Sequence, residues 1–536
     1  MTDRKKTVFS RRDFLKIAGT VAGGIVLAAC APKETTTTEV KPTEEAKAEP
    51  TEAPTTEPAK PETIEINYHF LAWGPMNDVK MVAEEMSKIS AEAINATISL
   101  IPLDWSAFNE KLQLSLAAGE PIDMMFTCTW ANNFYANVSN GNLLALDDIL
   151  PTNAPGFWKS IPAGVWDAGK VGGKLYGAIN QQIWPLVVGF CVRKDLVEKY
   201  NVDTSGMTTF EGFEPFCDLI KEKEPEMYPT GWFTVDEKQT WWPSMYGVDD
   251  LGQAVGTQPY VGVYYNDPTL KASFNAELPE FRYAIEIAKR WYDRGYLPSE
   301  PTSGEDFVAG MKAGMYAMVP TNNAKPGREF EDKAKYGFEF LNMPLKYKDT
   351  PPILSTGAVA ATMNGLARTC KDPAKACQML ELLNTNVEFY NLICKGIKDK
   401  HWVWVDEGLK VIGFPEGVTA ETSTYNPNTD WMFGNQFNAY YVDIEQAKAD
   451  VWGQTRKINE SAAVSEAMGF ALVQDPITNE IAQISTVVSE IGVPLSQGRT
   501  EIENTLKQYI EKLYQAGGEK YLAEVQNQLD TWKANK

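Results

Sequence analysis

The sequence predicts an α/β fold in which a largely parallel sheet is covered by helices. Strand-like and helix-like segments alternate from residue 63 onward, each with its own apolar spacing, and the third strand-like segment is apolar almost throughout. This alternation is typical of parallel sheets, whose strands are buried on both faces. With 536 residues, the chain is long enough for two or more domains.

The alternating elements can be followed in order from residue 63. The segment "TIEINYHFLAW" alternates apolar and polar residues and predicts a strand that ends at Gly74-Pro75. Apolar residues recur at helical spacing in "NDVKMVAEEMSKIS", and "ATISLIPLDW" predicts a second strand. A helix over "SAFNEKLQLSLAAGE", which Gly119 can cap, and a buried strand over "IDMMFTCTW" follow.

Each of these three strands ends at or near a tryptophan, namely Trp73, Trp105 and Trp130. In open α/β sheets, ligands bind beyond the carboxyl ends of the strands. We therefore expect these tryptophans to lie together at a ligand site, and the alternative is that they pack beneath loops. The chain has 15 tryptophans in all, and this site would account for part of that excess.

The first thirty residues resemble an export signal. "SRRDFLK" resembles the twin-arginine signal, and "LAAC", which ends at Cys30, resembles the lipobox of bacterial lipoproteins. The apolar run 17–29 would span only ~20 Å as a helix, which is short for a bilayer core of ~30 Å. We expect residues 1–29 to be a signal peptide and Cys30 to become the lipid anchor. The alternative is a plain secretory signal beside an unmodified cysteine.

Residues 30–62 are expected to form a disordered tether, because they consist almost entirely of Thr, Glu, Pro, Ala and Lys. Loss of residues 1–29 removes six basic and two acidic side chains, which changes the formal charge from −21 to −25. Such an acidic surface repels nucleic acid and anionic lipid, so neither is an expected partner. We expect a monomer that the lipid holds at the outer face of the cytoplasmic membrane.

The residue inventory argues against common catalytic sites. The chain has only two histidines, His69 and His401, neither of them in a zinc-protease motif, and it has no P-loop or nucleophile-elbow motif. The spacing of Asn426, Asn428 and Asp430 resembles an EF-hand loop, but glycine and glutamate are missing at the required positions. We therefore expect no enzyme activity, no cofactor and no metal. The six cysteines after Cys30 lie in apolar contexts and are expected to be free and buried.

Several segments in a fixed order resemble bacterial extracellular solute-binding proteins of the sugar-binding kind. They include "FNEKLQLSLAAGEPIDMMFTCTW", "GKLYGAINQQ", "FRYAIEIAKRWYDRGYLPSE", "GMKAGMYAMVP" and "STGAVAATMNG". The C-terminal segments are similar to those of a lipoprotein subgroup of that family. The resemblance implies a periplasmic-binding-protein-like fold with two discontinuous lobes joined by crossover strands. We expect residues 63–180 and 353–400 in one lobe, and residues 181–352 and 401–536 in the other.

The same resemblance implies a protein that carries a ligand to the permease of an ABC importer. Independently, tryptophan clusters with neighbouring amides fit an oligosaccharide, because rings match its C–H faces and amides match its hydroxyls. A secreted glycoside hydrolase and a peptide-binding lipoprotein are the alternatives. The expected ligand-binding residues are Trp73, Trp105, Trp130, Asn132, Asn133, Tyr135, Gln181, Gln182, Trp184, Trp241, Trp242, Trp431 and Asn435.

Overall fold

The computed structural model describes residues 62–231, 242–251 and 260–536. The expected signal peptide, Cys30 and all but the last residue of the expected tether lie outside these residues. Trp241 also lies outside them, and only the backbone of Trp242 is described. Each described helix is too short or too polar to span a bilayer.

The described strands, in chain order, are β1 Ile64–Ala72, β2 Ala96–Asp104, β3 Met124–Thr127, β4 Lys170–Val171, β5 Lys174–Leu175, β6 Ala178–Ile179, β7 Gly189–Arg193, β8 Tyr228–Thr230, β9 Val248–Asp249, β10 Val261–Tyr264, β11 Ser273–Phe274, β12 Tyr316–Thr321, β13 Phe340–Pro344, β14 Ile353–Leu354, β15 Met363–Leu366, β16 Val403–Asp406, β17 Val411–Gly413 and β18 Ala463–Val464.

The described α-helices, in chain order, are α1 Val79–Ile94, α2 Trp105–Ala118, α3 Phe134–Ser139, α4 Ile149–Asn153, α5 Pro155–Ser160, α6 Lys194–Lys199, α7 Phe210–Lys223, α8 Trp242–Met245, α9 Pro279–Asp293, α10 Gly304–Lys312, α11 Arg328–Tyr336, α12 Thr356–Val359, α13 Pro373–Thr385, α14 Val387–Lys395, α15 Ile444–Lys448, α16 Val451–Ser461, α17 Thr478–Val487, α18 Val493–Ser496, α19 Ile502–Leu513 and α20 Glu519–Asn535. Single π-helical turns, Val488–Gly492 and Tyr514–Gly518, interrupt the last four helices.

The first sheet has the strand order β2-β1-β3-β15-β6. Strands β1 and β2 are parallel over their full length, from Ile64 opposite Ala96 to Ala72 opposite Asp104. The return strand β15 runs antiparallel to β3. The expected alternation of the first three strands with α1 and α2 is confirmed, and α2 ends at Gly119, whose φ of 68° suits glycine.

The second sheet has the order β13-β7-β12-β8, and a smaller sheet has the order β11-β10-β9. Every residue of β12, which begins in the segment "GMKAGMYAMVP", is buried. One face of the second sheet packs on the helices α7 and α9, and the other packs on α10 and α11.

Two large hydrophobic cores define two lobes. The first core surrounds the first sheet, and the second joins the second sheet to the C-terminal helices from residue 467 onward. The chain passes between them after β6, after β13 and after β18, so both lobes are discontinuous as expected.

The packing of one segment differs from the expected division. Tyr425, Met432, Phe433 and Ala439 lie in the first core, although residues 401–536 were all expected in the second lobe. The physical reason is that this segment supplies large apolar side chains to the open edge of the first core, whereas only the helices after residue 467 present an apolar face to the second. All six described cysteines are free, and five of them are buried.

Candidate functional site

Four tryptophans meet at the carboxyl ends of the first three strands. Trp73 follows β1, Trp105 follows β2, and Trp130 lies just after β3, so the parallel strands bring them to one edge of the sheet. Trp431 joins them from a distant part of the chain. Trp73 is 52% exposed and Trp105 is 50% exposed, which is unusual for side chains of this size.

The four indole rings form one continuous row, which we call the indole platform. Ring centroids are 5.6 Å apart between Trp73 and Trp431, 5.7 Å between Trp431 and Trp130, and 5.7 Å between Trp130 and Trp105. Buried Phe126 lies against the two central rings at 5.9 and 5.7 Å. The indole nitrogen of Trp130 donates a hydrogen bond of 2.8 Å to the Ala361 carbonyl, which fixes that ring.

Trp431 reaches the platform because the backbone of residues 426–430 is bonded to the end of β1 and the loop after it. The Trp73 amide donates to the Pro427 carbonyl at 3.0 Å, and the Asn426 amide donates to the Pro75 carbonyl at 2.7 Å. Thr429 adds a side-chain hydrogen bond of 3.1 Å to the carbonyl of Leu71.

A polar network centred on Asp78 fastens the same segment. Thr424 Oγ1 donates to Asp78 Oδ2 at 2.6 Å, and His401 Nε2 lies 3.1 Å from the same oxygen. His401 Nδ1 accepts a hydrogen bond from the Ile397 amide, so the proton of the neutral ring is on Nε2 and points to Asp78. Hydrogen bonds from Thr424, His401 and Lys400 lower the pKa of Asp78 to about 2. Burial lowers the pKa of His401, which favours the neutral ring.

The amides that follow Trp130 are used inside the protein. Asn132 is 1% exposed, and its side chain bonds to the Phe126 carbonyl and to Asn137. Asn133 caps α3 by accepting a hydrogen bond from the Ala136 amide. The side chain of Asn132 is therefore committed to the loop, whereas the cap occupies only the side-chain oxygen of Asn133.

Tyr135 differs from these two amides. Its hydroxyl is buried and has no hydrogen-bond partner among the described residues. Burial, and then the charges of Asp250 and Asp249 in the second lobe, raise the pKa of Tyr135.

The expected residues of the first crossover mainly hold the chain in place. Gln181 bonds to Asn384 at 3.0 Å, and Gln182 bonds to Thr362 at 3.2 Å. Trp184 is buried, and its indole nitrogen donates to the Asn180 carbonyl. Asn435 accepts a hydrogen bond from the Phe437 amide.

A further polar segment follows a buried strand of the second sheet, and the sequence analysis did not identify it. Residues 322–332 begin at the carboxyl end of β12, which is the position that drew attention to the tryptophans of the first lobe. The segment "NNAKPGREFED" carries two asparagines and several charges directly after a buried strand. That pattern could have identified it without a structure.

The arrangement provides flat apolar ring faces, two of them about half exposed. Within the described residues no three histidine, cysteine, aspartate or glutamate side chains are grouped so as to hold a metal ion. Of the two histidines, His401 is engaged with Asp78 and His69 lies in β1.

Comparisons with known proteins agree with this fold. Residues 80–386 match the model of a family described as bacterial extracellular solute-binding protein, and residues 466–534 match a domain of unknown function (DUF3502). A carbohydrate ABC transporter substrate-binding protein from Streptococcus pneumoniae is 23% identical over 84% of this chain and 87% of its own length.

Two crystal structures of the N-glycan transport solute binding protein NgtS from Streptococcus pneumoniae share the fold. The first is 21% identical, with a TM-score of 0.75, over 88% of this chain and 99% of that chain. The second, in complex with Man5GlcNAc, is 22% identical, with a TM-score of 0.65 and the same coverage.

Proposed function

This chain belongs to the family of bacterial extracellular solute-binding proteins, and we propose on that premise that it captures an oligosaccharide between its two lobes for an ABC importer. The indole platform is the observation that carries the proposal. An indole is flat and apolar and needs little conformational ordering, so it suits the C–H face of a sugar ring. Four rings in a row present more surface than one sugar ring covers, which favours an oligomer over a monosaccharide.

The relatives support the same ligand class. One is described as a carbohydrate transporter's binding protein, and NgtS has been solved with Man5GlcNAc. We propose that this chain likewise binds a carbohydrate and passes it to membrane permease subunits. The family is one of extracellular proteins, so the chain acts after export.

We propose transport rather than catalysis. A glycoside hydrolase needs two carboxylic acids across the scissile bond, and Asp430, the acid next to Trp431, is paired with Lys395. A peptide-binding protein would need charges for the peptide termini, and Lys395 beside the platform is already paired with Asp430.

We further propose that the protein acts as a monomer held by a lipid on Cys30, after export by a twin-arginine-like signal. The lipobox-like sequence and the Thr/Glu/Pro-rich segment behind it support this proposal. Several acyl chains on Cys30 would hold the protein at the outer face of the membrane, since each buried methylene contributes ~0.8 kcal/mol.

A glycan array tests the proposal. The wild-type protein, from residue 31 onward, should bind a subset of neutral oligosaccharides, and calorimetry should then give the affinity for the tightest of them. Mass spectrometry of the glycan after incubation should show no cleavage. Failure to bind any glycan, or turnover of the bound one, would refute the proposed function.

A further inference from the structure

The last four helices, α17 to α20, have no part in the indole platform. Apart from Asn535, they lie within residues 466–534, which match a domain of unknown function. The same match begins with the segment by which the chain passes between the lobes for the third time. We call this segment, residues 466–473, the third crossover. The helices and the third crossover thus belong to one unit of sequence.

The last of these helices is fixed to the second lobe by its apolar face. Tyr521, Val525 and Leu529 of α20 are fully buried in the second core. The Tyr521 ring stacks on Phe274 of β11, with the ring centroids 6.1 Å apart. Helix α20 is therefore a rigid support for any segment that it contacts.

The middle of the third crossover is inserted into the first lobe. Met468 is 1% exposed and lies in the first core. The Thr356 hydroxyl, at the start of α12, accepts a hydrogen bond of 2.9 Å from the Gly469 amide and donates one of 3.3 Å to the Ala467 carbonyl. Gly469 has a φ of 93°, and a Cβ at this position would lie 3.1 Å from the Cβ of Asp167. The positive φ and the close approach both require glycine there.

Both flanks of this inserted part are attached to the second lobe. Before it, the Glu466 amide donates a hydrogen bond of 2.8 Å to the Tyr265 carbonyl. After it, Phe470 is 2% exposed and lies in the second core. Residues 471–473 form neither helix nor strand, so their backbone groups need partners outside regular secondary structure.

Helix α20 supplies contacts to the second flank. Gln528 Oε1 accepts a hydrogen bond of 2.9 Å from the Val473 amide, and Gln528 Nε2 donates one of 3.0 Å to the Val473 carbonyl. One side chain thus satisfies both backbone groups of one residue. Trp532, one turn later, packs edge-on against Phe470 with the ring centroids 5.9 Å apart. The flank is therefore fastened to the same helix at two points.

We propose that the last four helices hold the third crossover in place as the pivot about which the two lobes turn. Met468 and Gly469 form the contact with the first lobe, and α20 fixes the flank that follows them. A fixed pivot restricts the relative orientations of the lobes in the free protein. Less conformational freedom is then lost when a ligand draws the lobes together.

The test compares Gln528→Ala with Gln526→Ala, a matched control in the same helix. The Gln526 side chain accepts a hydrogen bond of 3.0 Å from the Ala272 amide and donates one of 3.2 Å to the Leu270 carbonyl, both within the second lobe. Each substitution therefore removes the same side chain and two hydrogen bonds to the backbone. Only Gln528→Ala releases the third crossover.

Hydrogen exchange of the ligand-free proteins, followed by mass spectrometry, reports on the attachment itself. Residues 470–473 should exchange about fivefold to tenfold faster in Gln528→Ala, since a hydrogen bond of ordinary strength is lost. Peptides from α17 and α19 should exchange as in wild type, which shows that the helices remain folded. In Gln526→Ala, the faster exchange should be confined to residues 270–272.

Small-angle scattering of the same ligand-free proteins reports on the pivot. Gln528→Ala should have a larger radius of gyration than wild type, because a loosened pivot allows more widely opened forms, and Gln526→Ala should match wild type. Equal radii for the three proteins, with faster exchange at residues 470–473 of Gln528→Ala, would show that α20 only packs on the crossover and would overturn the proposal.

Calorimetric titration with the tightest glycan from the array adds an arm that rests on the proposed function. Gln528→Ala should bind about threefold to tenfold more weakly than wild type, because more open forms must be closed, and Gln526→Ala should bind within twofold of wild type. Equal affinities of the two variants would contradict the pivot. Failure of every glycan to bind would refute the proposed function instead, and exchange and scattering would still decide on the pivot.

Discussion

Replacing Trp105 with alanine should weaken oligosaccharide binding by about tenfold to a hundredfold. Trp105 is 50% exposed at the end of the indole platform. A large aromatic side chain buries roughly 150–250 Å², so about 100 Å² of this ring is available to a ligand. Covering that area at about 25 cal/mol per Å² contributes at most ~2.5 kcal/mol. Since 1.4 kcal/mol is one decade of affinity, the loss lies between one and two decades.

The same substitution should leave the fold almost unchanged. The exposed half of the ring contributes nothing to the stability of the free protein, and the lost contact with Trp130 costs about 0.5–1.5 kcal/mol.

Trp130→Ala should behave differently. It removes a half-buried ring, its hydrogen bond to Ala361 and its contact with Phe126, so it should lower both affinity and the free energy of unfolding.

Calorimetric titration with the tightest array glycan, beside thermal melting of the free proteins, distinguishes these effects. Trp404→Ala is the matched control, because Trp404 is half-buried and contacts Trp402 and Tyr440 rather than the platform. If Trp105→Ala binds within twofold of wild type while it remains folded, the platform is not the sugar-binding surface and the area argument fails.

Three further predictions concern the anchor, closure and acid stability. Cys30→Ser should leave the exported protein soluble or unprocessed, because serine cannot take the thioether-linked lipid; processed protein that still fractionates with membranes would contradict this. Ligand should close the lobes, because each contributes part of the site, so small-angle scattering should give a smaller radius of gyration at saturation; an unchanged radius indicates a site that is already closed. Asp78 is more acidic in the folded protein, so its stabilising contribution is present above about pH 4 and is lost as the pH falls toward 2. Asp78→Asn should therefore lose less unfolding free energy than wild type between pH 5 and pH 3 in urea titrations, and equal losses would exclude Asp78 as a source of the acid sensitivity.

The sequence predicted the first lobe well because its signals are local. Strand length, helical spacing and a capping glycine identified β1 to β3 with α1 and α2, and the position of each tryptophan after a strand followed from them. Parallel pairing then brings Trp73, Trp105 and Trp130 to the same edge. That step needs only the direction of the strands, which alternation with helices already implies.

The lobe assignment of residues 401–440 could not be obtained in this way. Its attachment depends on contacts between residues more than 300 positions apart, such as His401 with Asp78 and Thr429 with Leu71. The segment has no periodic pattern of apolar residues that would indicate which part of the chain it contacts. Asn132 shows a related limit, since an amide suits a sugar, but its geometry commits this one to hydrogen bonds inside a loop.

Contact with the indole platform alone would not explain how ligand binding closes the two lobes. The centre of the indole platform is already ordered in the free protein, since Trp130 and Trp431 pack on Phe126 and a hydrogen bond fixes the Trp130 ring. A ligand that touched only this surface would bind open and closed forms equally and could not shift their populations. The differential affinity that selects the closed form must therefore come from contacts between the ligand and the second lobe, while the platform supplies affinity common to both forms.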